Sequence, residues 1–504
     1  MAQEIELKLG FPAEQRRALE RHPVLAAVKV GRARHRELYS AYFDTPDEQL
    51  REAKAALRLR RDGGQWTQTM KTAGRVVGGM DVREELDWPV HRGVLDTEAL
   101  ASQPLFAAGG GRAIDTKRLR QAFVTRFLRT AFDVTLADGS VAEVAIDTGL
   151  IEAGRRSVPL SELEIELKGG EPIALIDLAL ALSADFPLRL IRASKAERGY
   201  ALGRRNGNGP VRARAPELKR PQALRVAAER IVASCLEHLQ AHEQGVLAGR
   251  DVEYLHQLRV GMRRLRAALS ACAEAFDPAA LAQLKLELAW LGEALGPARD
   301  WDVWCTETLP AVRESFPDTP GLTEIVRASQ AVRRQAAVSA RAALAAPRYT
   351  QLVLKLGRML CTPVPRGAGR PLAAPHARKL LQRRLEKLTS VDLLTATPAE
   401  RHRTRIAAKK LRYAAELFQS ALVKPAARTP RRFIDTVASL QSVLGQANDV
   451  VVGQALLAEL RARQSTLDPA ACATIAGWLA GRGAGATERI APTWRAVQAL
   501  QPFW

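Results

Sequence analysis

Acidic and basic side chains occupy every second position of the sequence EIELKL at residues 4–9. Successive side chains of a β-strand point to opposite faces, so one face of this segment is ionic and the other is apolar. A similar alternation returns at four later segments. The charged residues of the whole pattern are Glu4, Glu6, Lys8, Arg58, Arg60, Arg83, Glu85, Glu143, Asp147, Glu162, Glu164, Glu166 and Lys168.

These residue types match the chemistry of a phosphate chain with a bound metal ion. Carboxylate oxygens are ligands for Mg²⁺ or Mn²⁺, and Arg and Lys bind phosphate oxygens through charge-assisted hydrogen bonds. One charged strand face is ordinarily a solvated face, but repetition on several strands indicates a different arrangement. A closed sheet would turn these faces inward and line a lumen with carboxylates on some strands and cations on others.

The elements that must position these residues are short strands separated by turns. Glycine-containing pairs such as Gly63-Gly64 and Asp138-Gly139 separate the alternating segments, so residues 1–205 are predicted to form an α+β domain built on an antiparallel sheet or barrel. Residues 206–219 have the Gly, Pro and Arg content of a linker. Residues 220–504 change to long segments rich in Ala, Leu and Arg, which predicts an all-α domain.

The ordered motifs of residues 1–205 resemble the CYTH, or triphosphate tunnel metalloenzyme, superfamily. They are ExExK at 4–8, YFDTP at 42–46, LRLR at 57–60, WTQTMK at 66–71, TRFLRT at 125–130, AIDTG at 145–149, ELEIELKGG at 162–170 and SKAERGY at 194–200. The resemblance implies an antiparallel tunnel of about eight strands. It further implies metal-dependent hydrolysis of a triphosphate, with Mg²⁺ or Mn²⁺ as cofactor and water as the nucleophile.

The same resemblance implies roles for individual residues. Glu4, Glu6, Glu164 and Glu166 would hold the metal, assisted by Glu143 and Asp147. The triphosphate would be held by Lys8, Arg58, Arg60, Lys71, Arg126, Arg129 and Lys195. Because Arg126 and Arg129 lie an odd number of positions apart, a regular strand would point only one of them inward. The expected substrate is inorganic triphosphate. The alternatives are an organic triphosphate hydrolase or cyclase acting on thiamine triphosphate or ATP, and a non-catalytic polyphosphate-binding protein.

The net charge of +21 lies almost wholly in the second half of the chain. Residues 1–210 hold 32 Lys and Arg against 29 Asp and Glu, whereas residues 211–504 hold 43 against 25. Residues 325–385 contain 13 basic residues and no acidic one. This field favours an anionic partner, which could be nucleic acid, an anionic membrane or polyphosphate.

A basic motif with a histidine occurs twice in the helical half, at residues 256–266 and 402–412, with a constant offset of 146 residues. A second motif, LG-x-x-x-D, is also repeated, at 295–300 and 444–449. The two repeated motifs predict two duplicated helical bundles, at about 220–360 and 370–504. Within each copy the basic residues fall within about 80° of helix surface and form one stripe. The stripe residues are His256, Arg259, Arg263 and Arg266, and His402, Arg405, Lys409 and Arg412.

The duplicated motif, together with LGPARDWDV at 295–303, resembles the CHAD family of conserved-histidine α-helical domains. That family implies polyphosphate binding by the two stripes, with Lys379, Arg383 and Arg384 as further contacts. The second copy lacks counterparts of Arg299 and Asp302, so the two halves need not bind equally if those residues form a structural ion pair.

Other partners are disfavoured by what accompanies the basic residues. His256 and His402 have no second histidine at i+4 and no nearby cysteine, which argues against zinc. The chain lacks zinc-finger, RRM and KH patterns, and aromatic residues are not interleaved with the basic ones, which disfavours sequence-specific nucleic acid binding. The scattered cysteines, the charged N-terminus and the lack of long apolar segments predict a cytoplasmic protein without membrane association. The polyphosphate binding implied by the resemblance adds an expected association with polyphosphate granules.

Overall fold

The computed structural model describes residues 2–72, 74–107, 113–203, 209–362, 371–423 and 429–504. The chain divides into two compact units. The first contains Met1–Gly209 and Ala346–Val364, and the second contains Pro210–Ala345 and Pro365–Trp504. The first division falls within the predicted linker. The sequence-based domain boundaries assigned residues 346–364 to the helical domain, whereas the structure groups them with the first unit.

The first unit is built on an antiparallel barrel. Eight of its strands close in the order β1, β9, β8, β7, β2, β3, β4, β6 and back to β1, which confirms the predicted eight-stranded barrel. Strands β10 and β5 extend the sheet beside β1 and β6. The strands of the described residues are β1 Ala2–Gly10, β2 Lys29–Asp44, β3 Ala56–Asp62, β4 Gln65–Lys71, β5 Arg75–Val77, β6 Met80–Val90, β7 Arg120–Thr135, β8 Val141–Ala153, β9 Arg156–Gly169 and β10 Arg189–Leu190.

Charged side chains occupy the lumen of the barrel, and many apolar side chains of its strands are buried on the outer face of the sheet. Leu7, Leu9 and Ile165 alternate with the acidic residues of β1 and β9 and are fully buried on the opposite face. Helices cover this outer face, so the hydrophobic burial that stabilises the strands does not require an apolar lumen. The α-helices of the first unit before residue 210 are α1 Arg16–Glu20, α2 Pro23–Val28, α3 Gln49–Glu52, α4 Thr97–Ala101, α5 Ile173–Leu182 and α6 Lys195–Gly203.

One part of the barrel interior is filled by helix α6. Ala196 and Tyr200 of α6 belong to an apolar cluster with Tyr42, Phe123 and Phe127. These strand residues have the same orientation as the neighbouring lumen residues, because they lie an even number of positions from them. The lumen is therefore apolar where it meets α6 and ionic beyond it.

A further helix of the first unit, α13 at Pro347–Cys361, comes from a distant part of the sequence. It contacts α5, β10 and β5. Its apolar face is buried, including Leu352, Val353 and Leu356.

The second unit is helical and repeats its order of helices, as the sequence predicted. In the first copy α7, α9, α10 and α12 pack consecutively, and in the second copy α14, α15, α16 and α17 do the same. The copies meet where α9 packs against α15 and α7 against α14. The described α-helices are α7 Leu224–Gln240, α8 Glu243–Leu247, α9 Val252–Ala271, α10 Pro278–Val303, α11 Leu309–Ser315, α12 Leu322–Ala345, α14 Ala373–Thr389, α15 Pro398–Leu422, α16 Thr429–Arg463, α17 Pro469–Glu488 and α18 Ile490–Gln498.

The segment before α7 is irregular but is held by side chains of the helical unit. His238 and His242 hydrogen-bond to the backbone carbonyl and amide of Val211 at 3.1 Å each. The Leu218 amide donates to Ser420 Oγ at 3.1 Å. Residues 206–208 of the predicted linker lie outside the described residues.

Among the described residues, none of the helices combines the length and the apolar character needed to cross a lipid bilayer.

Candidate functional site

The barrel lumen forms a cavity of about 350 Å³ that is lined mainly by charged side chains. Most of the residues predicted for the tunnel line it, although they come from six different strands and from α6. The predicted residues that line the cavity are Glu4, Glu6, Lys8, Arg58, Arg60, Lys71, Arg129, Glu143, Glu164, Glu166 and Lys195.

Two predicted residues do not line the cavity. Arg126 is on the outer face of β7, where its side chain is 66% exposed and pairs with Glu152. Its assignment to the triphosphate site was wrong, because only odd-numbered positions of this stretch of β7 point inward and Arg129 takes that place. Asp147 is fully buried behind the cavity wall, where it pairs with Arg129 and Lys195.

Strand register arranges the carboxylates of β1, β9 and β8 in rows across the lumen wall. Glu6, Glu166 and Glu143 lie directly opposite one another on the three strands. Glu162 and Asp147 form a second row, and Glu164 lies between the two rows opposite Lys8. Like charges directly opposite each other destabilise a sheet, so each row needs cations nearby.

The carboxylates beside α6 are neutralised by lysine and arginine side chains of the protein itself. Carboxylate oxygens of Asp147, Glu162 and Glu164 lie within 4.8 Å of one another, close enough to hold a metal ion. The Lys195 ammonium already lies among them, with Nζ at 2.9, 2.8 and 2.7 Å from the three carboxylates in that order. Arg129 also pairs with two of them and Arg198 with the third. A metal ion would have to displace Lys195 to bind there.

The charge balance of this cluster is visible in the pKa values of its members. Burial alone would raise the pKa of the Glu164 carboxyl, but Lys195, Arg129 and Lys8 hold it well below its ordinary value. Burial likewise opposes the charged form of Lys195, yet the Glu164 and Asp147 carboxylates raise the pKa of its ammonium. The cluster is therefore a set of buried, mutually compensated ion pairs.

The row that contains Glu6, Glu166 and Glu143 is less completely neutralised. Within the described part of the chain, the cations that pair with these carboxylates are Lys8 at 2.5 Å, Lys168 at 2.6 Å and Arg34 at 2.7 Å respectively. Lys168 and Arg34 are substantially solvent-exposed, so their pairs contribute little. Three adjacent strands thus supply carboxylate oxygens, which are the ligand type that a divalent cation such as Mg²⁺ prefers.

Glu4, on β1 beside this row, has an excess of negative charge around it. Lys71 lies 2.8 Å from Glu4 but also 2.9 Å from Glu85. Burial, with the neighbouring Glu6 and Glu85 charges, raises the pKa of Glu4 to about 7 despite Lys71. An additional cation near Glu4 would relieve this cost, and that again favours a divalent ion in this part of the lumen.

Arg60 of β3 has the opposite imbalance, whereas its neighbour Arg58 is paired with Glu85 at 2.9 Å. Burial and the charges of Arg58 and Arg129 lower the pKa of Arg60 to about 10. Arg60 donates one long hydrogen bond of 3.4 Å to Ser40, and Arg58 Nε has no hydrogen-bond partner among the described residues. Guanidinium groups with free donors inside a cavity are suited to bind phosphate oxygens.

The cavity wall contains charged residues for which the sequence pattern indicated no role. Arg34 and Arg36 were missed because GRARHRE places charges on both faces of β2 and so lacks alternation. Arg83, Glu85, Glu162 and Lys168 belonged to the alternating pattern but had no assigned function. Asp62 and Asp87 also line the cavity, and Asp81 lies behind it, where it accepts a hydrogen bond from Lys8 at 2.8 Å.

In the helical unit, the two predicted basic stripes converge. Burial and the charges of Arg405, Arg263, Arg412 and Arg259 lower the pKa of Lys409 to about 8, so residues of α9 and α15 share one positive field. The Nε atoms of Arg259, Arg263 and Arg405 are buried and lack hydrogen-bond partners in the described part of the chain. Such unsatisfied buried donors favour an anionic ligand at this cluster.

Each stripe packs against the repeated LG-x-x-x-D motif. A Cβ built on Gly296 would lie 3.8 Å from Arg259 Nη1, and one built on Gly445 would lie 4.0 Å from Arg405 Nε. Burial lowers the pKa of Arg259 and of Arg405. The negative charge of Asp300 opposes this effect at Arg259, and that of Asp449 opposes it at Arg405. In the first copy, Asp302 pairs with Arg333 at 2.7 Å and Arg299 with Glu307 at 3.3 Å, so both residues that the second copy lacks form ion pairs.

The other predicted polyphosphate contacts are distributed less uniformly. His256 is half-buried, and burial together with Arg299 lowers its pKa. His402, Arg266, Lys379 and Arg383 are exposed. Arg412 pairs with Glu416 at 2.6 Å, and Arg384 donates to the backbone oxygen of Lys410 at 2.6 Å, so these two side chains already have partners.

Comparison with known proteins matches both halves of the chain. Residues 2–200 match the family described as the CYTH domain, and residues 230–458 match the family described as the CHAD domain. The inorganic triphosphatase of Haemophilus influenzae is 34% identical over 203 residues, which cover 40% of this chain and 56% of that protein. The chain thus spans little more than half the length of this relative. Among solved structures, the CHAD domain of the plant Ricinus communis is 35% identical with a TM-score of 0.51, and the match covers 58% of this chain and 98% of that chain.

Proposed function

The chain belongs to the CHAD family and carries a CYTH domain ahead of its CHAD domain, and on this premise we propose that its barrel hydrolyses inorganic triphosphate with a divalent cation. The relative that is 34% identical over 203 residues is named as an inorganic triphosphatase. The observation that carries the proposal is the opposed imbalance of the lumen. On one side, Arg60 has no ion pair among the described residues, and Arg58 keeps an unpaired Nε beside its pair with Glu85. On the other side, two of the three cations that pair with Glu6, Glu166 and Glu143 are exposed to solvent.

A triphosphate chain with bound Mg²⁺ or Mn²⁺ would satisfy both sides at once. Bound there, the cation would polarise a phosphoryl oxygen and acidify a water molecule. Arg58, Arg60 and Lys8 would bind phosphate oxygens and stabilise the charge that develops at the phosphorus under attack. Arg129 and Lys195 would contribute to the same field while they neutralise the buried carboxylates beside α6.

The test is phosphate release by the full-length chain with tripolyphosphate, thiamine triphosphate and ATP, each with Mg²⁺ or Mn²⁺. We expect a preference for tripolyphosphate. The double substitution Glu6→Gln and Glu166→Gln should abolish turnover, and Glu152→Gln on the outer face is the matched control. Comparable rates on all three substrates would overturn the inorganic assignment, and faster release from thiamine triphosphate or ATP would favour an organic triphosphate hydrolase. Binding without turnover of any substrate would indicate a non-catalytic phosphate-binding barrel.

For the helical unit we propose binding of long-chain polyphosphate at the cluster formed by Arg259, Arg263, Arg405 and Lys409. The support is that unsatisfied donors from both repeats converge in one field. Replacing Arg263 and Lys409 with alanine should weaken polyphosphate binding by at least about 100-fold, since each charged hydrogen bond contributes roughly 1.5–3 kcal/mol. Replacing the exposed Arg431 and Arg432 is the control.

The nucleic acid alternative predicts a different competition result. Polyphosphate should displace bound duplex DNA at equal phosphate concentration if the cluster is a polyphosphate site. Failure of this displacement would favour a nucleic-acid-binding helical unit instead. In cells, we expect a fluorescent fusion to be cytoplasmic and to follow polyphosphate granules, and loss of this distribution in the Arg263 and Lys409 double variant would connect it to the cluster.

A further inference from the structure

Helix α13 packs within the barrel unit although its sequence lies inside the range that matches the CHAD family. Its partners are α5, β10 and β5. Arg358 Nε donates to Asp177 of α5 at 2.6 Å, and Gln351 Nε2 donates to the backbone oxygen of Ser183 at 2.8 Å. These contacts give the helix a specific orientation beyond what its apolar face alone would require.

The tightest contact of α13 is with the turn between β5 and β6. A Cβ built on Gly78 would lie 2.9 Å from the Gly357 carbonyl oxygen and 2.8 Å from Cys361 Sγ. A Cβ on Gly357 would overlap the carbonyl oxygen of Gly78. Gly78 also has a φ of +60°, which favours glycine. Two glycines therefore let the backbone of the helix approach the backbone of the turn directly.

This turn leads straight into the part of β6 that faces the lumen. Asp81, three residues after Gly78, accepts a hydrogen bond from Lys8 at 2.8 Å and pairs with Arg83 at 3.2 Å. Arg83 and Glu85 line the cavity. A shift of the turn would displace β6 along or across the barrel, and Lys8 would lose Asp81, one of the two carboxylates that hold its ammonium group.

We propose that α13 acts as a brace, that is, a helix that fixes the position of a barrel strand. Its Gly357 packs directly against the Gly78 turn and thereby positions β6, Asp81 and Lys8 for triphosphate binding. The inference rests on the proposed hydrolysis of triphosphate in the lumen. Gly357 and Asp81 touch neither substrate nor metal in this scheme and act through Lys8 and Arg83, so they are positioning residues. The helix would then be needed for full activity even though it lies outside the range that matches the CYTH family.

The test uses full-length Gly357→Val, with Gly477→Val as the matched control. Gly477 is also a helical glycine, and a Cβ there meets nothing within 4 Å. For Gly357→Val we expect KM for tripolyphosphate to rise roughly tenfold, because small displacements of binding groups are costly. KM is measured where circular dichroism shows the variant to be folded, since a purely stabilising helix would lower the melting temperature and leave KM unchanged. An unchanged KM and kcat in folded Gly357→Val would overturn the proposal.

A charge exchange tests the same brace without a steric clash. Arg358→Asp should raise KM in the same direction, and adding Asp177→Arg should restore it. Failure of rescue, with the single variant impaired, would count against α13 docking as the cause.

If the wild-type chain does not hydrolyse tripolyphosphate, the proposed function fails. Amide hydrogen exchange then tests separately whether α13 fixes the position of β6. Faster exchange of residues 78–90 in Gly357→Val than in Gly477→Val would support it, and equal exchange would refute it.

Discussion

The Nζ atom of Lys195 on α6 lies 2.7 Å from a carboxylate oxygen of Glu164 on β9, inside a cluster that also contains Asp147 and Glu162. This geometry separates the acidic residues of the lumen into two groups. The group around Lys195 is compensated by buried cations of the protein, and the row of Glu6, Glu166 and Glu143 is paired in part with solvent-exposed cations. The location of Lys195 at the start of α6 also ties the helix to the barrel wall.

Replacing Lys195 with methionine should destabilise the first unit strongly. The substitution leaves buried carboxylates without their central cation, and breaking a buried pair typically costs about 3–5 kcal/mol. Urea unfolding of the full-length chain, with a probe in the barrel, would measure the loss. Lys168→Met is the control, because Lys168 is 44% exposed and its pair with Glu166 is worth only about 0–1 kcal/mol. Equal effects of the two substitutions would contradict the compensated cluster.

Arg126→Ala and Arg129→Ala should differ sharply in activity. Arg129 lines the cavity and neutralises Asp147 and Glu164, so its removal should reduce kcat by roughly 10²–10³-fold, the usual cost of removing one group that stabilises transition-state charge. Arg126 pairs with Glu152 on the outer face and its removal should leave kcat and KM near the wild-type values. Steady-state kinetics with tripolyphosphate checks both, and a large loss in Arg126→Ala would show that the β7 register is misassigned.

The stability of the metal-free protein should depend on pH through Glu4. Its pKa in the folded state is about 7, above the ordinary value of 4.5, so the folded state binds the extra proton between these pH values. The unfolding free energy should therefore fall as pH rises from about 4.5 to 7, by at most about 1.4 kcal/mol per pH unit. Glu4→Gln should lack this component when unfolding is measured in EDTA. A difference between wild type and Glu4→Gln that stays constant across this range would refute it.

Polyphosphate binding to the helical unit should be coupled to proton uptake by Lys409. The pKa of its ammonium is lowered to about 8 without ligand, and an adjacent anion would raise it again. Affinity should consequently decline as pH rises above about 8, because binding must then recharge the side chain. Titration calorimetry in buffers of different ionisation enthalpy would measure the proton uptake. Lys409→Arg keeps its charge and should lose this part of the pH dependence, and an unchanged proton uptake in that variant would assign it to another group.

Several features of the site followed from local pattern alone. Because the side-chain period of a strand is two, alternation placed Glu4, Glu6 and Lys8 together on one face of β1. In the same way it placed the glutamates of residues 162–166 together on one face of β9. Arg126 and Arg129 show the limit of that pattern. Their odd spacing required one to face outward, but only the pairing of β7 with β2 and β8 decided which one did. Arg34 and Arg36 had no alternation to mark them, and their place in the cavity came from barrel closure.

The sequence by itself determined an α+β domain of antiparallel strands followed by repeated helices, the ionic strand faces and the two basic stripes, because each depends on spacing within one segment. Only the tertiary structure decided that the ionic faces turn inward, that Lys195 occupies the carboxylates around Glu164, and that α13 joins the barrel. These features depend on which distant segments meet. A buried charge is determined by partners that lie far away in the chain, and the choice of partner is made by strand register and helix packing across the whole unit.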